Sequence, residues 1–233
     1  MSLEFQEYRP RRILNVHKHT DGPWFWDRYS AHPYIGCRSG CEFCYLRGGR
    51  YLGKRDPDTF DTLIQVKLNA AELLRRELAR VQPDVIACGD WQQPVEDRYG
   101  LSRAMLEVVL ELGFPLFVVE RSPLLTRDLD LLQQISQSAW VGVVYSISNL
   151  DQELKLAFEP RSPGLRRRLQ AMQQLAQAAN YRIWAYRKAA WTVDDWPEGL
   201  DQVYAQGGRQ ALRDLPDVGP RLADELADWI TEA

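Results

Sequence analysis

The sequence predicts an α/β protein: a partial (βα) barrel of about four recognisable units, followed by a small all-α domain. Two observations predict it. Short apolar runs alternate with amphipathic helical stretches across short connections, the pattern of parallel βαβ units. Near residue 180 that pattern stops, and only short helices with Gly/Pro turns follow. The division falls at 1–178 and 179–233. A closed eight-unit barrel needs roughly 250 residues, more than the 233 present, so an open barrel fits better.

In chain order, residues 1–30 are polar and aromatic, with Trp24, Phe25, Trp26 and Tyr29 close together. They read as an arm packing on the main domain. Residues 32–36 read as a short strand entering the loop 37–44. Residues 63–67 form a strand, and Asn69 caps a helix to about residue 80, with Leu73, Leu74 and Leu78 on one face. Pro83 ends it. The run 84–88 is a buried strand. The helix 101–112 stops at Gly113. Strand 116–120 follows, then a helix capped by Thr126 to about residue 137. Strand 140–147, a short helix 151–157 and a turn 160–164 lead to a helix. Leu165, Leu169, Met172, Leu175 and Ala179 mark its inner face. Beyond residue 180, helices are expected at 184–193, 200–206, 209–212 and 220–231. Active sites in such folds lie at the C-terminal ends of strands. That rule points to Gly89, Asp90 and residues 146–149.

Net charge is −3 and hydrophobic content 45%, ordinary for a globular chain. No run approaches the length of a membrane span. The N-terminus lacks the apolar stretch of a secretory signal, so a reducing cytoplasm is expected, with no membrane partner. Four cysteines there point to metal or redox use rather than disulfides. Eight Trp and ten Tyr are many for this length; most suit the core, some suit stacking.

Cys37, Cys41 and Cys44 have the spacing C-x3-C-x2-C. Three thiols so close cannot sensibly pair with one another, but they can converge on one soft metal centre. A 4Fe–4S cluster normally takes four thiolates; with three, one iron stays open to another ligand. The alternatives are a structural zinc site completed by His32 or Cys88, and chance. Zinc sites usually show two separated ligand pairs, and no second pair exists here. Cys88, inside an apolar strand, reads as a small hydrophobe. His17 and His19 read as solvated. Lys67 points either inward or to the surface. Arg166, Arg167 and Arg168 read better as a solvated helix face than as a phosphate contact.

With an aromatic, Phe43, before the last cysteine, the loop resembles the signature of radical S-adenosylmethionine enzymes. The stretches 24–26, 29–37 and 44–45, with Gly89-Asp90-Trp91-Gln92-Gln93-Pro94-Val95-Glu96 and Glu159-Pro160-Arg161-Ser162-Pro163, resemble the spore photoproduct lyase-like branch. The resemblance covers about residues 10–178. It implies a 4Fe–4S cluster on the three cysteines and S-adenosyl-L-methionine on the open iron. It also implies reductive cleavage to a 5′-deoxyadenosyl radical, and an electron donor such as flavodoxin or ferredoxin. Phe43 and Tyr45 would flank the cluster or adenine. Gly89 and Asp90 stand where the family places a contact to the methionine amine, although this chain has Gly-Asp rather than a Gly-Gly-Glu-like motif. Ser146, Ser148 and Asn149 would reach ribose or carboxylate; loop polarity explains them equally well. Glu159 and Arg161 either help hold the cofactor or form a turn salt bridge.

The run Leu212-Arg213-Asp214-Leu215-Pro216-Asp217-Val218-Gly219-Pro220-Arg221-Leu222-Ala223 resembles a helix–hairpin–helix, whose hairpin N–H groups bind a phosphate independently of sequence. The wider stretch 181–230 resembles the small N-terminal domain of family X DNA polymerases. Glu225 stands where some members carry a Schiff-base lysine, so lyase activity of that kind is not expected. Val218, Gly219 and Arg221, with Arg187 and Lys188, are the nucleic-acid candidates; Arg182 and Arg209 would join their patch. Against this, residues 181–233 hold six Lys/Arg and ten Asp/Glu, and phosphate neutralisation needs cations.

Radical S-adenosylmethionine domains commonly have six βα units. Four here leave one side for a second subunit or for a large substrate such as nucleic acid. Three functions remain: a radical lyase-like enzyme for DNA repair or base modification, a noncatalytic iron–sulfur nucleic-acid-binding protein, or a radical enzyme with a peptide or small-molecule substrate. DNA is expected more than RNA.

Overall fold

A computed structural model describes residues 3–18, 27–89, 91–148, 151–178, 197–215, 218 and 220–232. The chain divides into two compact units, Met1–Ile183 and Trp184–Ala233.

The first unit is mixed α/β. Its strands are β1 (Glu4–Tyr8), β2 (Asn15–Val16), β3 (Tyr29–Ser30), β4 (Tyr34–Ile35), β5 (Leu63–Lys67), β6 (Ile86–Gly89), β7 (Leu116–Glu120) and β8 (Val141–Tyr145). Five of them form a sheet ordered β2-β3-β6-β7-β8, in which β3, β6, β7 and β8 run parallel and β2 is antiparallel. The helices between are α1 (Gly49–Leu52), α2 (Ala70–Leu78), α3 (Glu96–Tyr99), α4 (Leu101–Leu112), α5 (Leu129–Ser138), α6 (Gln152–Phe158) and α7 (Leu165–Ala178). The succession β6-α4-β7-α5-β8 is the expected parallel crossover pattern.

Alternation explains why these strands hold. In β6, β7 and β8 every second residue is buried: Ile86 and Cys88, Leu116 and Val118, Val141 and Val143. That row packs on Leu73, Leu74 and Leu78 of α2, Met105, Leu106 and Val109 of α4, and Leu131, Leu132 and Ile135 of α5 in one apolar core. Each helix offers its stripe at three- and four-residue spacing. Helix α4 ends where Gly113 takes φ 69°, its N–H reaching Leu110 and Val109, a left-handed cap that favours glycine.

The strand 63–67 does not join the parallel row. Strand β5 lies in a second, three-stranded sheet, parallel to β1 and antiparallel to β4. Ile64 and Val66 make a separate core with Tyr34, Val95 and Leu101. The N-terminal segment supplies three strands rather than only a packing arm. Trp24, Phe25 and Trp26 lie outside the described residues. Two expected caps are replaced. Asn69 uses its Nδ2 on Pro10 O (3.2 Å), tying the N-terminal segment to the helix start. Ser122, not Thr126, caps the 3₁₀ turn Pro123–Asp128 that leads into α5.

In the second unit the helix Leu200–Arg213 breaks at Gly208 (φ 61°), so the expected 200–206 and 209–212 helices meet across a glycine kink. The helix Pro220–Glu232 follows. Val203, Leu212, Leu215, Val218, Ala223 and Ala227 form this unit's own core. The expected 184–193 helix lies outside the described residues. Among the described residues no helix is long and apolar enough to cross a membrane.

Candidate metal and cofactor site

The cysteine loop leaves β4 through Gly36, whose φ is 92°. A Cβ there would stand 2.6 Å from Phe60 O and 2.8 Å from Leu63 O, so only glycine lets the chain turn past that backbone. Cys37 N then donates to Phe60 O (2.9 Å). Two tight turns follow, Gly40 N to Cys37 O and Cys44 N to Cys41 O, each 3.2 Å. They bring the three cysteines round one loop, and none is in a disulfide.

The loop is braced from four sides. Arg47 donates to Cys41 O (2.8 Å) and Gly40 O (2.9 Å). Gln93, after β6, accepts from Arg38 N (3.1 Å). Glu42 N donates to Phe158 O (3.0 Å). Arg161 pairs with the buried Asp61 under Gly40. Arginine thus satisfies backbone carbonyls of the loop as well as shaping it.

Arg121, the residue directly after β7, joins the loop to the strand ends. Its Nη1 lies 2.7 Å from Cys41 Sγ and 3.1 Å from Glu159 Oε1. Its Nη2 donates to Ser146 Oγ (3.3 Å), and its guanidinium lies 6.0 Å from the Phe43 ring centre. Burial alone would lower the pKa of this arginine. The negative potential of Cys41, Glu159, Cys37 and Cys44 outweighs that and holds it above its ordinary value. The Cys41 thiol therefore sits directly against a fixed cation, whose charge also acts on Cys37 and Cys44. Burial pushes the Cys41 thiol up against the pull of Arg121, and Glu159 and Cys44 add to the rise. Coordination to a metal would override that preference, because a bound thiol is deprotonated outright.

Glu159 is 0% exposed and fully paired. It accepts from Arg168, Ser148 and Ser162 and meets Arg121. Burial would raise its pKa, but these donors, Arg168 foremost, hold the carboxyl below the usual carboxylate range. Lys155 Nζ donates to Ser162 O (2.7 Å) beside it.

The expected residues are thus partly assembled. Cys41, Phe43, Ser146, Ser148 and Glu159 form one connected group through Arg121 and Glu159, with Cys37 and Cys44 on the same loop as Cys41. Phe43 and Tyr45 are 53% and 65% exposed, and Tyr45 meets Tyr51 edge-on at 5.3 Å. Gly89 ends β6 at the same sheet edge. Asp90, Asn149, Arg187, Lys188, Gly219 and the Arg221 side chain lie outside the described residues. Val218 is buried in the second unit's core.

Four readings need correction or decision. Arg168 is not a solvated face residue: it is 2% exposed and pairs with Glu159. His17 is held by Ser30 Oγ (3.0 Å) and Asp27 (3.5 Å) rather than solvated, and His19 is outside the described residues. Lys67 Nζ donates to His32 O (2.7 Å). Arg209, taken as a cation for phosphate, is engaged by Asp224 and Asp228. Cys88 is a buried hydrophobe, as expected. Arg121 was missed, although the strand-end rule that selected Gly89 and Ser146 applies equally to the residue after β7.

Among the described residues, no three His, Cys, Asp or Glu side chains converge where one metal ion could sit. A 4Fe–4S cluster asks something different, since its thiolates bond separate irons. Three soft donors on one loop, one of them against a fixed cation that offsets charge there, fit such a cluster.

No family model and no solved structure matches the chain. An uncharacterised protein of Mycobacterium tuberculosis is 32% identical over 208 residues, 87% of this chain and 61% of its own length. The chain therefore spans about three fifths of that relative. An uncharacterised protein of Methanocaldococcus jannaschii is 27% identical over 149 residues, 64% of this chain and 55% of its own. A protein of Pseudomonas phage M6 described as a radical SAM Nalpha-GlyT isomerase is 31% identical over 119 residues, 48% of this chain and 23% of its own. About half of this chain is thus similar to part of a radical SAM protein.

Proposed function

We propose that this chain is a radical S-adenosylmethionine enzyme of the spore photoproduct lyase-like branch, acting on nucleic acid in the cytoplasm. One observation carries the reading: the C-x3-C-x2-C loop sets Cys41 against Arg121, the residue that follows a strand of the parallel sheet. The similarity to a phage radical SAM isomerase supports it. Cys37, Cys41 and Cys44 hold a 4Fe–4S cluster. Gly89, Ser146 and Ser148 lie at or beside the strand ends and would bind the polar groups of S-adenosylmethionine together with Asp90, and the exposed rings of Phe43 and Tyr45 would flank it. Bound together, cluster and cofactor supply a carbon radical by one-electron cleavage of the S–C5′ bond, and the protein positions the substrate and excludes water. Glu159 keeps Arg121 and Arg168 in place.

The 212–223 pattern supports a nucleic-acid substrate. A second reading, a peptide or small-molecule substrate with the hairpin as a docking module, is favoured by one observation: Arg209 and Arg213 are already paired with Asp224 and Asp228. Anaerobic reconstitution with iron and sulfide, then a 5′-deoxyadenosine assay with and without DNA, tests the proposal. Zinc uptake with no visible iron–sulfur band would end it. Cofactor cleavage with DNA binding that is unaffected by changes at Gly219 and Arg221 would favour the second reading.

A further inference from the structure

We infer that Arg121 is a positioning residue that sets how readily the cluster accepts an electron; the inference rests on the cluster reading proposed above. The geometry is specific. One guanidinium nitrogen lies between Cys41 Sγ (2.7 Å) and Glu159 Oε1 (3.1 Å), and another is anchored on Ser146 Oγ (3.3 Å). The side chain is 21% exposed, so solvent screens it only in part. An arginine there is always charged.

The local charge balance matters more than the single contact. Arg121 and Arg168 both pair with Glu159, and Lys155 stands beside them on Ser162 O. Three cations share one carboxylate among these groups. Net positive charge is therefore left over, and Arg121 is the member that turns it toward the cysteines. A 4Fe–4S cluster gains one negative charge on reduction. A fixed cation in contact with one of its thiolates stabilises the reduced form more than the oxidised form. Cluster potentials respond to net charge, hydrogen bonds to sulfur and exposure, and Arg121 supplies the first two. A side chain that only fixed the shape of the loop would change cluster loading and leave the potential unchanged.

The test is a potentiometric titration of the reconstituted full chain, read by the EPR signal of the reduced cluster, with iron and sulfide content measured alongside. For Arg121→Met we expect normal cluster content. We also expect the reduced-to-oxidised ratio at a fixed applied potential to fall about tenfold, or ~59 mV for one electron. Arg121→Lys, which keeps the charge, restores most of the ratio. Arg121→Gln keeps an N–H donor without charge and is the second variant: if the Met variant does not load, the Gln variant decides. A ratio within about twofold of wild type in the neutral variants overturns the inference while leaving the cluster intact. So does a Lys variant that fails to restore it. Loss of the cluster from both neutral variants, with full loading of the Lys variant, also overturns it and assigns Arg121 to assembly. Failure of wild type to take up a cluster is a separate outcome that removes the proposed function itself.

Discussion

Glu159 and Glu96 are both buried carboxylates near strand ends, yet their environments push them in opposite directions. Glu159 meets two guanidiniums and two hydroxyls, and its pKa is lowered despite burial. Glu96 accepts from the Tyr34 hydroxyl and, at 3.0 Å, from Ser102 N at the start of α4, with Arg127 farther off at 3.4 Å. Burial dominates there, and its pKa is raised. Burial alone therefore does not decide the charge state; the number of cationic donors does. The carboxylate beside the cysteine loop is built to stay charged. The one behind it is built to fill a polar gap and cap a helix.

The largest effect should come from breaking the charged member. Glu159→Gln leaves Arg168 buried without its counter-charge, which costs about 3–5 kcal/mol for a broken buried pair. Urea unfolding at neutral pH should show the loss as a lower midpoint with an unchanged slope. In wild type the depressed pKa means this stabilisation is fully present above the ordinary carboxylate range and is lost as pH falls through the folded value. A Gln variant as stable as wild type would mean that the network around Glu159 is held by packing instead.

A backbone change comes next and tests the loop rather than the network. Gly36→Ala puts a Cβ against Phe60 O and Leu63 O at a φ of 92°. Strain of about 1–3 kcal/mol is expected, together with reduced iron uptake, because Cys37 is the next residue. Iron uptake equal to wild type, with stability lost, would separate loop geometry from overall stability.

These two sites differ in how far the sequence revealed them. The cysteine loop was legible because its cysteines are local: eight residues carry the whole spacing pattern. The parallel strands 86–89, 116–120 and 141–145 were legible because each carries an apolar run. Strand β1 was not, since it is almost wholly exposed and owes its pairing to β5, far along the chain. The inner face of α7 was read correctly at Met172 and Leu175 but not at Leu169. Leu169 is 45% exposed, while Arg168 lies buried with Ala171 and Leu175. A hydrophobic pattern cannot foresee that an arginine will take the core position. The reason, Glu159, lies outside the helix, and only the fold brings the two together.

The neutral-leaning carboxylate predicts a smaller, pH-dependent change. With a raised folded pKa, the native state keeps a proton that the unfolded chain has already released. Stability therefore falls as pH rises from the ordinary carboxylate range through the folded value of Glu96. Glu96→Gln removes this slope. Near neutral pH the variant should lie within about 1 kcal/mol of wild type, because an amide oxygen still accepts from Tyr34 or Ser102. Thermal midpoints across an acid-to-neutral series check it. A slope that survives the substitution would place the titration on another group.

The smallest effect should come from the second unit, where the same Arg–carboxylate chemistry sits at the surface. Arg209 meets Asp224 and Asp228, and Arg213 also meets Asp224. These side chains are exposed, so water and salt screen pairs that would be costly to break inside. Arg209→Ala should leave the unfolding midpoint unchanged within error at moderate salt. Its use is to separate two roles of the arginine. If DNA retention at low salt drops while stability holds, Arg209 leaves its aspartates for phosphate when nucleic acid is present. If retention also holds, the acidic residues keep this arginine from phosphate, and any nucleic-acid contact must be made by other residues. The same ion pair that at Glu159 supports a buried site would then act here only to mask a cation.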